Sequence, residues 1–227
     1  MRASDFSRVY PVLYHMAEDG SWDNIRQHGL LSTSALLDLY GYEGRARQEI
    51  ETEWRPRKYT LVSKGLPPAV VRDQLPMRRD ALRPCLDDGM TPEDWYAHVN
   101  RRVFFWPTRD DLRFFLAAKE YKNAPHVIIS VETHRLLARD ADRITLSAIN
   151  SGSTYYNSER FSGPPRRGRH TFRPIEDFGG GRVREVVVLD GVPDVLSLSP
   201  TVERWIAHRK NYEEPSFECL GRLWPTS

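Results

Sequence analysis

The sequence predicts an α+β protein in which helices flank small β-sheets. Short runs of β-branched and aromatic residues indicate strands, and Val186–Leu189 is a continuous apolar run typical of a strand buried on both faces. Between such runs lie segments with helix start signals, such as Thr-Pro-Glu-Asp at 91–94. With 227 residues, of which 40% are hydrophobic, the chain is too short for two ordinary domains with linkers. We therefore expect a single domain over residues 1–227.

The first quarter of the chain is expected to form one strand and three short helices. Residues 9–16 alternate in hydrophobicity and predict a strand that ends at His15. Ser21 and Gly29 bracket a helix of about two turns, and a second short helix follows from Ser32 to Leu39. The charged segment 43–54 has the spacing of a surface helix, which Pro56 stops.

The middle of the chain contains an irregular segment followed by clearer signals. Residues 59–62 are a short strand candidate, and residues 64–90 are rich in proline and arginine and predict an irregular insertion. A helix is expected over 91–100 and an aromatic strand over 103–106. Thr108 is then the N-cap of a helix predicted to run from Arg109 to about Tyr121.

The C-terminal half is expected to hold four strands and one helix. The strand candidates are 126–131, 144–149, 186–189 and 192–198. The spacing of apolar residues over 200–208 favours an amphipathic helix.

Composition and charge exclude several classes of protein. The 33 basic and 31 acidic residues give a net charge of +2, so the chain is not a globally basic nucleic-acid-binding protein. Cys85 and Cys219 lack metal-binding spacing, which predicts no metal site and a reducing compartment. No apolar run has the length of a membrane span or of a leader after Met1, so we expect a soluble cytoplasmic protein.

Glu185 is the first candidate for catalysis. It immediately precedes the apolar run 186–189, and the glycines at 179–181 break whatever element comes before. A carboxylate at the edge of a buried strand is held rigidly, and we expect it to face a cleft. The alternative is a structural role, because a glutamate beside an apolar strand is often an ion-pair partner or a guard against aggregation.

An arginine-rich segment precedes this strand and is a candidate substrate platform. Residues 160–173 contain five arginines and no acid, and two tyrosines, Tyr155 and Tyr156, lie just before them. Arginines contact phosphates and tyrosines stack on bases, so this segment favours a nucleic-acid partner. An acidic protein surface, a solvated loop or tyrosines that belong to the core remain alternatives. The arginines of the candidate platform are Arg166, Arg167 and Arg169.

Three short segments resemble a known enzyme family in order and spacing. They are Tyr14-His15 with the following helix that ends at 28–31, then Phe-Phe-Trp-Pro-Thr-Arg at 104–109, then Arg184-Glu185 at the apolar strand. Together they resemble the DarT-like ADP-ribosyltransferases, and more closely a bacterial family of unknown function with the same layout. The resemblance covers about half of the chain.

The resemblance implies a fold and a set of site residues. It implies a split β-sheet core with flanking helices, which holds NAD as a co-substrate between its two halves and needs no metal. His15 would contact the ribose of the nicotinamide nucleoside, Arg109 the pyrophosphate or the transition state, and Glu185 would be the catalytic carboxylate. The remaining residues of the cofactor site would be Tyr14, Phe105 and Trp106. The aromatic and acidic neighbours of Arg109 depart from the family pattern, which leaves the role of that arginine open.

The sequence therefore predicts an NAD-dependent ADP-ribosyltransferase that modifies a macromolecule, with nucleic acid favoured. The resemblance further implies a role as a toxin or in phage defence, with a cognate antitoxin or hydrolase as partner. The alternatives are a protein-directed ADP-ribosyltransferase, an RNA 2'-phosphotransferase and a non-catalytic module that binds NAD or nucleic acid. Taken alone, His15 and Arg109 each also fit a structural or surface role. No glycine pattern of a Rossmann fold or a P-loop is present, so a dehydrogenase or an NTPase has no support.

Overall fold

The computed structural model describes residues 1–156, 163–210 and 213–225, and it mixes helices with antiparallel strands, as predicted. The helices are α1 (Ala3–Val9), α2 (Trp22–His28), α3 (Thr33–Leu39), α4 (Gly44–Glu51), α5 (Arg79–Leu82), α6 (Pro92–Asn100), α7 (Arg109–Leu116) and α8 (Thr133–Asp140). The longer strands are β1 (Val12–Glu18), β3 (Tyr59–Leu61), β4 (Ala69–Val71), β5 (Arg102–Phe105), β6 (Pro125–Glu132), β7 (Ile144–Ser147), β9 (Glu185–Leu189), β11 (Thr201–His208) and β12 (Ser216–Trp224). Strands of two residues are β2 (Leu30–Leu31), β8 (Arg173–Pro174) and β10 (Gly191–Val192).

Two four-stranded antiparallel sheets form the centre of the molecule. Sheet I has the order β1-β6-β11-β12, and sheet II has the order β5-β9-β7-β8. The two sheets meet where β1 passes the end of β5. There Tyr14 and Trp106 exchange two backbone hydrogen bonds, of 3.0 and 2.7 Å. We call this contact the sheet junction. The ribbons β2-β10 and β3-β4 lie outside the two sheets.

The main core lies between the facing surfaces of the two sheets. Leu13 and Ile129 of sheet I and Phe105, Val186 and Val188 of sheet II belong to one buried cluster. Burial of each such side chain contributes roughly 1.5–3 kcal/mol. On the other face of β9, Val187 packs into a second cluster, so the predicted strand with two buried faces is confirmed.

Helix α7 covers the other face of sheet I. Leu112 and Leu116 of the helix pack with Met16 of β1 and Ile128 of β6 in a third cluster. The side chain of Thr108 caps this helix by accepting the N–H of Asp111, as the sequence predicts. The helix ends at Leu116 and is shorter than predicted.

Segment 64–90 is more regular than its composition predicts. It contains β4, α5 and two 3-10 turns, Leu75–Met77 and Arg83–Cys85. Met77, Leu82 and Leu86 pack against Trp95 of α6 in the second cluster. The segment therefore contributes to the core beside Val187 of sheet II.

The sequence predicts five of the eight described α-helices and misses α1, α5 and α8. Helices α2, α3 and α6 lie where expected, and the predicted caps of α3 and α6, Ser32 and Thr91, accept backbone N–H groups. The helix predicted over 200–208 is wrong, since this segment is strand β11, which pairs with both β6 and β12. The strand predicted over 192–198 is also wrong, because most of it is a 3-10 turn at Val195–Leu198.

The first strand is displaced from its predicted position. It runs from Val12 to Glu18, while Val9 ends a helix, so His15 lies in the middle of the strand and not at its end. The alternation of apolar residues fixes the type of element but not its ends, which depend on pairing with β6.

Gly29 sets the turn from α2 into β2, and we expect Gly29→Ala to be strongly destabilising. Gly29 has φ +80°, and a Cβ there would lie 2.0 Å from the carbonyl oxygen of Pro193. Gly20 also has a positive φ, +92°, but no atom lies within 4 Å of its Cβ position, so Gly20→Ala is the matched control. The control should lose about 1–2 kcal/mol of unfolding free energy and Gly29→Ala at least about 2 kcal/mol more, measured by urea unfolding. Equal losses would show that the contact with Pro193 has no energetic role.

Candidate functional site

Glu185 is the first residue of β9, and its side chain is buried. Only 4% of it is exposed, and both carboxylate oxygens accept the backbone N–H of Ser151 at 3.1 Å. The residue is held rigidly, as predicted, but the expectation that it faces an open cleft is wrong. The turn that carries Ser151 covers the carboxylate.

Burial raises the pKa of the Glu185 carboxyl to about 7. Hydrogen bonding from Ser151 and the positive charge of Arg167 act in the opposite direction, because both stabilise the ionised form. A carboxyl group with this pKa is present in both protonation states near neutral pH. This carboxyl can therefore gain or lose a proton near neutral pH.

Arg167 is buried beside this carboxylate and does not form an exposed platform. It has no exposed surface, and its guanidinium donates to the carbonyl oxygens of Ser151 and Ser153 at 3.1 and 3.0 Å. The prediction that Arg167 contacts a substrate is wrong. A cluster of arginines in the sequence does not distinguish an exposed guanidinium from one that holds a turn.

Arg166 has a structural partner as well. Its Nε donates to Asp87 at 2.7 Å and its Nη2 to the carbonyl oxygen of Leu86 at 2.7 Å. This guanidinium is exposed but already paired, so its predicted role in substrate binding is not supported. Two members of the predicted arginine platform thus hold segment 64–90.

The remaining residues of that platform are on the surface. Tyr155 and Tyr156 are 72% and 43% exposed, so neither belongs to the core. Arg169 is exposed and lines a cavity of about 400 Å³ together with Asp94 and His98. Arg160, the first arginine of the predicted segment, lies outside the described residues.

His15 lies in the middle of β1, close to the sheet junction. Its Nδ1 is 2.8 Å from the carbonyl oxygen of Phe104, and its ring meets Phe105 edge-on with the ring centroids 5.7 Å apart. Burial lowers the pKa of His15 to about 4, so the ring is neutral at pH 7. A carbonyl only accepts, so Nδ1 carries the hydrogen and Nε2 remains an acceptor.

The sheet junction brings several predicted residues to one region of the chain. Tyr14, next to His15, bridges Trp106, and Phe105 pairs with Val186, next to Glu185. Because Trp106 follows Phe105, these two pairings are adjacent. His15 lies one residue from the first pairing, and Glu185 lies one residue from the second. The predicted grouping of β1, the end of β5 and the start of β9 is therefore present in the backbone.

Arg109 and Tyr14 line a cavity of about 310 Å³ between α7 and sheet I. The Arg109 guanidinium carbon lies 5.4 Å from the centre of the Trp205 ring, and that of Arg113 lies 5.3 Å from the Phe217 ring. Guanidinium groups over aromatic rings and above an apolar floor suit a ligand that is both anionic and apolar. Glu185 and His15 do not line this cavity.

Sequence reasoning missed several residues around these sites. Arg113 follows Arg109 by one helical turn, a spacing that predicts a shared helix face. Trp205 and Phe217 could not be placed, because one lies in a strand mistaken for a helix and the other in β12, which was not predicted. Ser151 gave no signal, since it contributes its backbone N–H.

One of the two acidic residues after Arg109 has a structural explanation. Asp111 is buried and accepts the hydroxyl of Thr108 at 2.5 Å. Its carboxylate also pairs with Arg182 at 2.5 Å and lies 3.9 Å from Arg184. Asp111 therefore ties the start of α7 to the segment that leads into Glu185.

Two properties of the described part of the chain bear on its ligands and location. Within residues 1–156, 163–210 and 213–225, no group of three or more His, Cys, Asp or Glu side chains could hold a metal ion. None of the helices in these ranges is both long and apolar enough to cross a membrane.

The raised pKa of Glu185 predicts how Glu185→Gln changes stability with pH. Between its ordinary pKa of 4.5 and about 7, the folded protein retains a proton that the unfolded chain releases, so this carboxyl makes the wild type less stable as pH rises. Glutamine does not titrate. The stability of the variant relative to wild type should thus improve by about 3 kcal/mol from about pH 4 to about pH 8, at roughly 1.4 kcal/mol per pKa unit.

Urea unfolding at both pH values measures this difference. Glu176→Gln, at an exposed glutamate, is the matched control and should show little change with pH. If Glu185→Gln behaves like the control, the carboxyl of Glu185 is ionised at its ordinary pKa.

Comparison with known proteins places the chain in a family. A search of curated proteins finds no match. One family model, described as a family of unknown function (DUF7002), matches residues 11–199. This range includes His15, Arg109, Arg167 and Glu185 and most of the chain. The chain therefore belongs to the family of unknown function DUF7002.

Proposed function

We propose that this protein is an NAD-dependent ADP-ribosyltransferase with Glu185 as its catalytic carboxylate. The observation that carries the proposal is the setting of Glu185, a buried carboxylate fixed by the Ser151 N–H with a pKa of about 7. The two antiparallel sheets that meet at the sheet junction support a split-sheet core of the kind that such enzymes use.

The chemistry of the transfer suits this carboxylate. The bond from C1' of the ribose to the nicotinamide nitrogen breaks, and its electron pair leaves with neutral nicotinamide. Positive charge develops on the ribose, and a fixed carboxylate stabilises it. The acceptor atom then bonds to C1', and its proton passes to Glu185 and on to solvent.

His15 supports binding of the ribose. Its neutral ring directs the Nδ1 hydrogen to Phe104, which leaves Nε2 as an acceptor for a ribose hydroxyl. Because the pKa of His15 is about 4, this arrangement persists over the whole neutral range. Phe105 fixes the plane of the ring from its edge.

Arg109 and Tyr14 supply a second contact, for the phosphate-bearing part of NAD. The cavity that they line has a guanidinium at its rim and the aromatic ring of Trp205 beside it. Its volume of about 310 Å³ accommodates a part of a dinucleotide. Trp106, whose backbone pairs with Tyr14, follows Phe105, which pairs with Val186 next to Glu185.

Nucleic acid remains the favoured acceptor class. This preference now rests on two exposed tyrosines and one arginine, and no longer on the number of arginines. Tyr155 and Tyr156 present exposed rings on the chain that leaves the Ser151 turn, and exposed rings stack on unpaired bases. Arg169, two residues after Arg167, adds an exposed positive charge. A protein acceptor is the alternative.

Nicotinamide release from NAD tests the proposal directly. We expect Glu185→Gln to lower the rate at least about 100-fold, because the charge that develops on the ribose loses its partner. Glu176→Gln should retain the wild-type rate. Equal rates in both variants would exclude Glu185 as the catalytic carboxylate. NAD binding by wild type without any nicotinamide release would favour a non-catalytic binding module, for which the burial of Glu185 is the supporting observation.

Binding of a fluorescent single-stranded oligonucleotide tests the acceptor class. The double variant Tyr155→Ala/Tyr156→Ala should bind at least about tenfold more weakly, since each stacked base contributes about 1–3 kcal/mol. The double variant Tyr155→Phe/Tyr156→Phe retains both rings and is the matched control. Unchanged affinity in the alanine variant would remove these tyrosines from the acceptor site.

A further inference from the structure

The turn over residues 150–154 determines whether Glu185 has a hydrogen-bond donor. Its Ser151 N–H is 3.1 Å from both carboxylate oxygens. Within the turn, the Ser153 N–H is 3.4 Å from the carbonyl oxygen of Asn150, and the Gly152 N–H donates to the Asn150 side chain at 3.1 Å. These local bonds leave the carbonyl groups of Ser151 and Ser153 free to accept from elsewhere. We call residues 150–154 the Ser151 turn.

Arg167 supplies the donors for both of these carbonyl groups. Its Nη1 donates to Ser151 at 3.1 Å, and its Nη2 donates to Ser153 at 3.0 Å. A planar guanidinium that bonds two carbonyl groups of one turn fixes the orientation of the turn. Lysine lacks this planar fork and cannot hold both carbonyl groups in the same geometry.

The burial of Arg167 indicates a role beyond stability. The guanidinium has no exposed surface, it forms no ion pair with the described residues, and its Nε has no hydrogen-bond partner among them. Moving a positive charge out of water is energetically costly, and a buried charge is therefore a poor way to stabilise a fold. The arrangement is explained if the geometry of the Ser151 turn is what the charge maintains.

Segment 64–90 holds both the arginine and the turn. The Arg167 N–H donates to Cys85 at 2.9 Å, and the Asp87 N–H donates to Arg167 at 2.8 Å. The N–H and the hydroxyl of Thr154, the last residue of the turn, donate to the carbonyl oxygen of Pro76 at 2.9 and 2.8 Å. The segment thus contacts the Ser151 turn directly and also through Arg167.

We propose that Arg167 is a positioning residue for Glu185, which it holds through the Ser151 turn, and that segment 64–90 keeps Arg167 and the turn in place. The positioning itself is a property of the fold, and its effect on turnover rests on the function proposed above. The sequence suggested no role for segment 64–90. In this proposal, the segment helps to position the catalytic carboxylate.

The loss of this support should change the pKa of Glu185. The Ser151 bond and the charge of Arg167 both lower the pKa of Glu185, against the larger effect of burial. Arg167 is the one charged group among the described residues that acts on this carboxyl, and the Cys85 thiol lies near Arg167 on the side of segment 64–90. Releasing the turn while keeping a positive charge should therefore change the pKa of Glu185, because loss of the Ser151 donor raises it and exposure of the carboxyl to solvent lowers it.

The experiment is a pH titration of the Glu185 carboxyl carbon by NMR, in wild type, Arg167→Lys and Arg173→Lys. Lysine keeps the charge at 167 and removes the fork, so we expect the pKa of Glu185 to change by at least about half a unit. The control changes an exposed arginine that does not contact the turn and should titrate like wild type. A wild-type titration in Arg167→Lys would overturn the proposal, because the charge alone would then suffice.

Thr154→Val tests the contribution of segment 64–90. It also replaces Arg167→Lys as the test of the proposal if that variant does not fold. It removes the hydroxyl bond to Pro76 and leaves the backbone bond in place. The pKa of Glu185 should shift in the same direction as in Arg167→Lys, by a smaller amount. An unchanged pKa would remove the segment from the positioning of Glu185.

Nicotinamide release separates this proposal from the proposed function. We expect Arg167→Lys to lower kcat about tenfold with little change in KM for NAD, because the carboxylate is misplaced and NAD binding is not. If wild type releases no nicotinamide but the titration still shifts, the positioning stands and the transferase assignment fails. If Glu185→Gln abolishes release and Arg167→Lys changes neither the titration nor kcat, the transferase assignment stands and the positioning fails.

Discussion

A carboxylate held inside the protein by one backbone N–H is the constraint on which the rest of the structure depends. Glu185 is buried because β9 is covered on both faces, by the core between the sheets and by the cluster that includes Trp95. Such a group needs a fixed donor, and the donor is fixed by a buried guanidinium. The Ser151 turn thus fixes Glu185, Arg167 fixes the turn, and segment 64–90 fixes Arg167.

Each of the two sheets contributes different residues to the proposed site. Sheet II and its surroundings hold Glu185, whereas sheet I holds His15 on one face and lines the Arg109 cavity with the other. Adjacent residues of β1 therefore serve different surfaces, since side chains alternate along a strand. Tyr14 and His15 form one motif in the sequence, but they lie in different environments, one beside the cavity and one beside Phe105.

Local signals in the sequence predicted the helices α2, α3, α4, α6 and α7 and the buried strand, and they also singled out Glu185. They failed where the outcome depends on distant partners. The segment 201–208 has apolar residues at a spacing that fits either element, and pairing with β6 and β12 makes it a strand. The exposure of the arginine-rich segment was also predicted wrongly at Arg167. Its composition suggested a surface, but Arg167 is buried because carbonyl groups of the Ser151 turn and backbone groups of segment 64–90 surround it.

The Tyr14–Trp106 contact has a consequence for motion. It joins two sheets through a pair of hydrogen bonds, each with a net contribution of about 0.5–1.5 kcal/mol, whereas each sheet is held by full ladders of such bonds. Breaking these two bonds leaves both ladders and the core between the sheets intact. The backbone pairing at the sheet junction is therefore weaker than the pairing within either sheet. The amide hydrogens of Tyr14 and Trp106 should exchange with solvent sooner than those of their neighbours within the strands.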